Sequence, residues 1–250
     1  PAQPIPAAPI PAQPIPAEAI ATEPVPAQPV PPAPVAAEPA APPMLGAILD
    51  DATVPKDTDS AFATLFALWG AEFSLDAGPP CEQAQRQLLL RCLYQRGTLS
   101  HLRRVNRPAI LSLVGDDGRE AQMVLSRLAD ESATLMAGDR KYSIDVDDLA
   151  EFWYGDYLVL WQPGHGSGST LGPGSSGEGV IWLRQALAQI GGEAVPARPS
   201  DYYDSALEAR VRDYQRERRL AVDGIAGTQT QIVISNELAA PGTPLLSEGH

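Results

Sequence analysis

Near its C-terminus the chain reads Asp223-Gly224-Ile225-Ala226-Gly227-Thr228-Gln229-Thr230. Asp223-Gly224 is turn chemistry, and Gly227 precedes a helix start for which Thr228-x-x-Gln231 supplies the cap. Upstream, Ser205-x-x-Glu208 has the capping-box pattern and opens a helix with Leu207, Val211 and Tyr214 on one face, at i, i+4 and i+7. Further back, Ser175-x-x-Glu178 repeats that signal before a helix with apolar positions Val180, Leu183, Leu187 and Ile190, ended by Gly191-Gly192. A loop through Pro196 and Pro199 joins the two. Residues 178–240 therefore predict a minimal bundle of three helices.

Residues 163–177 are rich in Gly and Ser and read as a flexible linker. Before it, residues 58–162 read as an α+β unit. An apolar helix is expected over 61–69, capped by Asp59 or Ser60, and a second over 81–88 after Pro79-Pro80. A short helix at 98–104 carries His101. Short apolar runs at 108–114, 121–128 and 133–136 are then separated by Gly115-Asp116-Asp117-Gly118, Asp130-Glu131 and Gly138-Asp139, which is strand-and-turn chemistry. A helix over 146–153 and a strand over 157–161 complete the unit.

The N-terminal end is different in kind. Of 26 prolines, 16 fall in the first 43 residues, where PAQPIP at 1–6 recurs at 11–16 and EPVPAQPV follows at 23–30. Proline lacks an amide hydrogen and fixes φ, so neither helix nor sheet runs through such a segment. Polyproline II remains, about 3.1 Å per residue and roughly 130 Å if fully extended. The repeat has no Lys or Arg to orient it in a proline-binding groove, so residues 1–57 read as a stalk and linker. Residues 241–250, rich in Pro and Gly, are expected to be disordered.

The formal net charge of −13, with no basic tract, argues against nucleic acid or anionic lipid as partner. The longest apolar stretch, residues 61–71, is about half of a bilayer span. With no signal peptide in view, the chain reads as a soluble fragment of something larger.

Cys81 and Cys92 leave three readings. A metal site lacks further ligands, so no metal or cofactor is expected. A catalytic thiol needs a histidine base, and the three histidines are His101, His165 in the linker and His250 at the terminus. A disulfide is the third. On one continuous helix the two Cα atoms would be about 16 Å apart, so a bridge requires the chain to turn back before Cys92, as a strand over 91–94 would do.

Two family resemblances enter on these residues. The segments at 107–114, 121–128, 133–136, 146–153 and 157–161 resemble the second half of the C39 cysteine peptidases, a papain-like fold. In that family the strand after the Pro-Ala-Ile segment begins Gly-His, the His being the general base; here the residues are Arg119-Glu120-Ala121-Gln122. No Asp-Cys-Gly signature for the nucleophile occurs either. The implied domain is degenerate and not an enzyme.

The C-terminal unit resembles a peptidoglycan-binding module attached to many cell-wall hydrolases. Its first-helix pattern is matched by Gly174, Gly177, Val180, Leu183 and Leu187, its second by Leu207, Val211, Tyr214 and Gln215, and its Asp-Gly-x-x-Gly-x-x-Thr hallmark by 223–230. Tyr214 replaces the usual Phe, Ile234 the usual Leu, and Gln185 falls one residue late. Asp223, Gly224, Gly227 and Thr230 also have a plain scaffold reading. The resemblance implies a ligand groove beside this loop, with Ile225, Arg212, Gln215, Arg219, Tyr202 and Tyr203 as further contacts for stem-peptide carboxylates and amides.

A proline-rich stalk, a C39-like domain and this module together resemble the periplasmic half of the GspA/ExeA type of secretion-assembly proteins. That resemblance implies a periplasmic location, anchoring of the full-length protein in the inner membrane of a Gram-negative bacterium, and a cytoplasmic ATPase domain elsewhere in it. It also implies peptidoglycan and a B subunit as partners, self-association on the wall, and help in inserting a type II secretin. An oxidising periplasm suits a Cys81–Cys92 bridge. The rival reading is a cell-wall or peptide hydrolase with a papain-like cysteine site.

Overall fold

The computed structural model describes residues 44–164, 169–195 and 197–247. The stalk of residues 1–43 with its polyproline II reading, linker residues 165–168 including His165, Pro196 and the terminal His250 lie outside the described residues.

The first domain is built on six strands: β1 (Arg91–Arg96), β2 (Ala109–Val114), β3 (Glu120–Leu128), β4 (Ser132–Ala137), β5 (Arg140–Asp145) and β6 (Trp153–Trp161). Their order is β1-β6-β2-β3-β4-β5, every pair antiparallel. The meander thus runs β2 to β5, and β6 returns to sit between β1 and β2.

The apolar runs read from sequence split by the two-residue period of a strand. Ala109, Leu111, Leu113, Met123, Leu125, Tyr157 and Val159 face one core, while Ile110, Val124 and Leu160 face another. Both faces are covered, so the central strands need no polar side. Helix α2 (Thr58–Leu68) covers the second face with Ala61, Phe62, Leu65 and Phe66. Helices α1 (Leu45–Asp50), α4 (Leu99–Val105) and α5 (Val146–Phe152) contribute Leu45, Ile48, Leu49, Leu102, Val105, Leu149 and Phe152 to the first.

Several expectations need correction here. The folded domain begins at Leu45, not 58: Leu45, Ile48 and Leu49 are buried, and the Leu45 amide donates to Asp148 Oδ2 at 2.6 Å. The cap of α2 is Asp57, whose Oδ1 accepts from the Ser60 amide at 2.9 Å, rather than Asp59 or Ser60. Strand β5 was not legible because only Ile144 of its six residues is buried, as suits a polar edge strand.

Helix α3 (Pro80–Leu88) ends at Leu89, whose φ of 55° is left-handed and turns the chain into β1. That reversal brings Cys81 and Cys92 to a Cα separation of 5.6 Å, and the two are joined as a disulfide.

The second domain packs α6 (Glu178–Ile190), α7 (Ser205–Glu217) and α8 (Thr228–Glu237) around Val180, Leu183, Leu187, Leu207, Val211, Tyr214 and Ile234. None of its helices is capped as the Ser/Thr patterns suggest. Asp204 caps α7, accepting from the Leu207 amide at 2.8 Å, because it holds the extended backbone just ahead of the first turn. Gly177 and Gly227 occupy the cap positions of α6 and α8. Ser175 Oγ accepts from the Gly172 amide instead, and Gln231 Nε2 donates to the carbonyls of Ser169 and Ala226.

The two domains share a core. Ile232 of α8 is fully buried within the first domain's main cluster, and Asn236 Nδ2 donates to the Val105 carbonyl at 2.7 Å. The tail, expected to be disordered from 241, docks here too. Leu246 is 1% exposed in that same cluster, and its carbonyl accepts from the Leu128 amide at 3.2 Å. Ser247 donates through its amide to Asn106 Oδ1 at 2.9 Å. Beneath it the buried Arg107 donates to the Pro244 carbonyl and lies 5.5 Å from the Trp69 ring centroid, and burial lowers its guanidinium to about 10. Among the described residues no helix is long and apolar enough to cross a membrane.

The Leu246→Ala variant is expected to lose about 2–4 kcal/mol of stability, the cost of a Leu→Ala cavity, in urea unfolding followed by tryptophan fluorescence. An unchanged midpoint and slope would mean the tail is not part of the core.

Candidate functional site

The loop between α7 and α8 is tied down by one buried amide. Gln215, on the inner face of α7, is 1% exposed. Its Nε2 donates to Asp223 Oδ1 and the Ile225 carbonyl, both at 2.9 Å, and to Thr230 Oγ1 at 3.3 Å. Its Oε1 accepts from the Gly224 amide at 2.9 Å. Asp223 Oδ1 also takes the Ile225 amide at 2.8 Å, closing an Asx turn. Desolvation works to raise the Asp223 carboxyl, but the Ile225 amide, Gln215 and the Arg212 charge outweigh it and hold it below the ordinary range.

From the other side the Tyr203 hydroxyl donates to the Gly224 carbonyl at 2.7 Å, and burial first, then Glu208 and Asp223, push it up to about 12. Gly224 needs to be glycine: its φ is 75°, and a Cβ would lie 2.9 Å from both Arg212 Nε and Glu208 Cγ. Gly227 does not: its φ is −73° and an added Cβ would meet nothing within 4 Å.

The residues named as ligand contacts therefore divide. Gln215, Tyr203, Thr230 and Gly224 are buried, with their polar groups spent on one another. Arg212 is tied to Glu208 at 2.9 Å and donates to the Val222 carbonyl. Tyr202, Arg219, Asp223 and Ile225 are exposed, as is Val222, the apolar residue preceding Asp223 in the chain, which sequence reasoning missed. The motif that looks like a site is thus chiefly a structural knot.

In the first domain both thiols are consumed by the disulfide, leaving no cysteine nucleophile among the described residues. His101, the histidine carried by the short helix expected over 98–104, lies between the domains. Its Nε2 is 2.7 Å from Gln229 Nε2 and its Nδ1 3.4 Å from the Tyr157 hydroxyl. An amide nitrogen only donates, so Nε2 is the acceptor and Nδ1 carries the proton toward Tyr157. Desolvation, with a smaller contribution from Arg104, lowers the imidazole below its ordinary 6.5.

Two outcomes are expected. Gln215→Leu leaves the buried Gly224 amide and Asp223 short of partners and should cost about 1–3 kcal/mol in urea unfolding; a cost near zero would remove the amide from its central place. The His101 ring protons should titrate below 6.5 by NMR. The fold then holds the neutral imidazole, so its contribution is complete above 6.5 and is lost as pH falls through the folded value. A midpoint at or above 6.5 would contradict that reading.

The family profile for the GspA peptidase C39-like domain matches residues 52–163, and that for a peptidoglycan binding domain matches residues 176–234. General secretion pathway protein A of Aeromonas hydrophila is 30% identical over 192 residues, covering 77% of this chain and 34% of that protein. A general secretion pathway protein A of Escherichia coli (strain K12) is 29% identical over 184 residues, covering 73% of this chain and 36% of its own length. The chain thus spans about a third of the length of these curated relatives. A solved periplasmic domain of the EpsAB fusion protein of the Vibrio vulnificus type II secretion system aligns at a TM-score of 0.50 and 25% identity, covering 80% of this chain and 85% of that one. Residues 52–163 belong to the GspA C39-like domain family and residues 176–234 to the peptidoglycan-binding domain family, and their union in one chain is that of a GspA-type periplasmic region.

Proposed function

We propose that the chain binds peptidoglycan without cutting it, as the periplasmic part of a type II secretion assembly protein. The observation that carries this is the pairing of a peptidoglycan-binding family domain with a GspA-type C39-like domain in one chain. Non-catalytic binding is supported by chemistry as well as kinship: the thiols are bridged, and His101 accepts a hydrogen bond from the second domain.

In this reading Tyr202, Ile225 and Val222 offer apolar area to the wall polymer, and Arg219 and Arg212 offer cations at the edge of the same loop. The wall is then an anchor. Several copies gather on it with a B subunit and help a secretin through it, while an inner-membrane span and a cytoplasmic ATPase domain belong to the full-length protein. The periplasmic setting is supported by the Vibrio relative, and its being an EpsAB fusion supports a B subunit as partner.

The test is co-sedimentation of the intact chain with purified sacculi, with the supernatant assayed for released muropeptides. The chain is expected in the pellet, with no release. A chain that stays in the supernatant would sink the proposal. Release abolished by Cys81→Ser with Cys92→Ser would favour the hydrolase instead.

A further inference from the structure

We infer that a second concavity of the C-terminal domain, between α6, α7 and the loop joining them, is a carboxylate-binding pocket for an acidic peptide. That the peptide is the stem peptide of peptidoglycan rests on the function proposed above. The pocket is on a face that sequence reasoning did not consider. Its volume is about 300 Å³, and its lining includes Arg184, Arg198, Arg210, Glu193, Pro199 and Leu207.

Three arginines against one acid line this cavity, in a chain whose net charge is −13. Two of the three are already positioned. Arg184 Nη2 lies 2.7 Å from Asp204 Oδ2 and donates to the Tyr202 carbonyl at 2.8 Å, while its Nε is buried with no hydrogen-bond partner among the described residues. Arg210 Nη2 donates to the Leu187 carbonyl near the end of α6 at 3.0 Å and lies 2.7 Å from Glu193 Oε1. Arg198 stands exposed on the joining loop.

Glu193 is the informative residue. It follows Gly191-Gly192, and its side chain is 59% exposed, yet its carboxylate sits on the guanidinium of Arg210. It stands where a ligand carboxylate would stand. Exchange for an incoming carboxylate costs little, because Glu193 swings into water, whereas Arg210 stays held by the Leu187 carbonyl. A planar guanidinium fork is suited to this substitution. The cavity is at the small end of ligand sites, fitting a peptide carboxylate and its neighbours better than a disaccharide. Arg212, two residues on, faces a different side of α7 and is bound to Glu208, so the helix divides its arginines between the loop knot and this pocket.

The test uses the intact chain and two soluble probes at low salt: a disaccharide tetrapeptide muropeptide, and glycan strands stripped of peptide, whose carboxylates belong to the sugar. Calorimetry should show binding of the first and not the second. Arg198→Gln with Arg210→Gln should weaken muropeptide binding by about tenfold or more. Glu193→Gln should tighten it by about threefold or more, by removing the resident anion. Such a gain cannot come from a misfolded variant, and thermal melts check the folding of the arginine variant. Glycan strands binding as well as the muropeptide, or Glu193→Gln failing to tighten it, would overturn the pocket. Sacculus binding that persists while all three substitutions leave muropeptide affinity unchanged overturns the pocket and keeps the wall-binding function. Charge-sensitive muropeptide binding without sacculus binding does the reverse.

Discussion

One buried side chain, Gln215, organises the C-terminal domain and, through it, the joint between domains. Its amide is bonded to four groups of the 223–230 segment, whose backbone is otherwise fastened by the paired bonds between Ala226 and Leu171 and by the Tyr203 hydroxyl on the Gly224 carbonyl. A buried amide left half-satisfied would cost more than an apolar residue, so this arrangement is all-or-none. Once the loop is fixed, so is the start of α8, and α8 delivers Ile232, Gln229 and Asn236 to the first domain. A single hydrogen-bond hub in one domain thereby determines how its neighbour is met.

The first domain keeps a peptidase-like frame while its chemistry has been redirected. Cys81 is on the first turn of α3, a place where a thiolate would be stabilised by the helix N-terminus. Bonded to Cys92, it instead fastens α3 to edge strand β1, which is paired on one side only. His101 completes the redirection. A general base needs a lone pair facing a nucleophile, but the Nε2 lone pair accepts from Gln229. Both residues that could suggest catalysis do structural work, one within the domain and one between domains.

The parts of the structure that follow local rules were legible in the sequence. The apolar runs of β2, β3 and β4 and the helical spacing of Leu207, Val211 and Tyr214 carry their own periodicity. What stayed hidden depended on distant partners. Leu45, Ile48 and Leu49 look like the end of a proline-rich stalk until Asp148 and the sheet receive them. Leu246 looks like tail until the pocket beside Asn106 is built. Helix caps were misassigned by one to three residues because Asp57 and Asp204 compete with the Asp59, Ser60 and Ser205 that follow, and extended backbone geometry decides between them. At the loop, the pattern did find Gln215, Asp223, Gly224 and Thr230 together. Sequence alone could not say that the amide would point inward.

Charge adds a constraint on any reading of the surface. Among the described residues of the C-terminal domain, Arg184, Arg210, Arg212, Arg216 and Arg218 each have an acidic neighbour within 3.2 Å. Exposed pairs of this kind contribute little stability, but they cancel the field that the arginines would project. With a formal charge of −13, the chain offers no long-range attraction to an anionic polymer, and what repulsion there is fades within about 8–10 Å at ordinary ionic strength. Capture must then be decided at contact, by groups that exchange one partner for another. Arg218 is a poor candidate, because Glu237 holds it by two bonds of 2.7 Å and also accepts from Tyr214 at 2.7 Å. Arg210 is a better one, because its anion comes from a solvent-exposed loop and its second bond, to a helix carbonyl, survives the exchange.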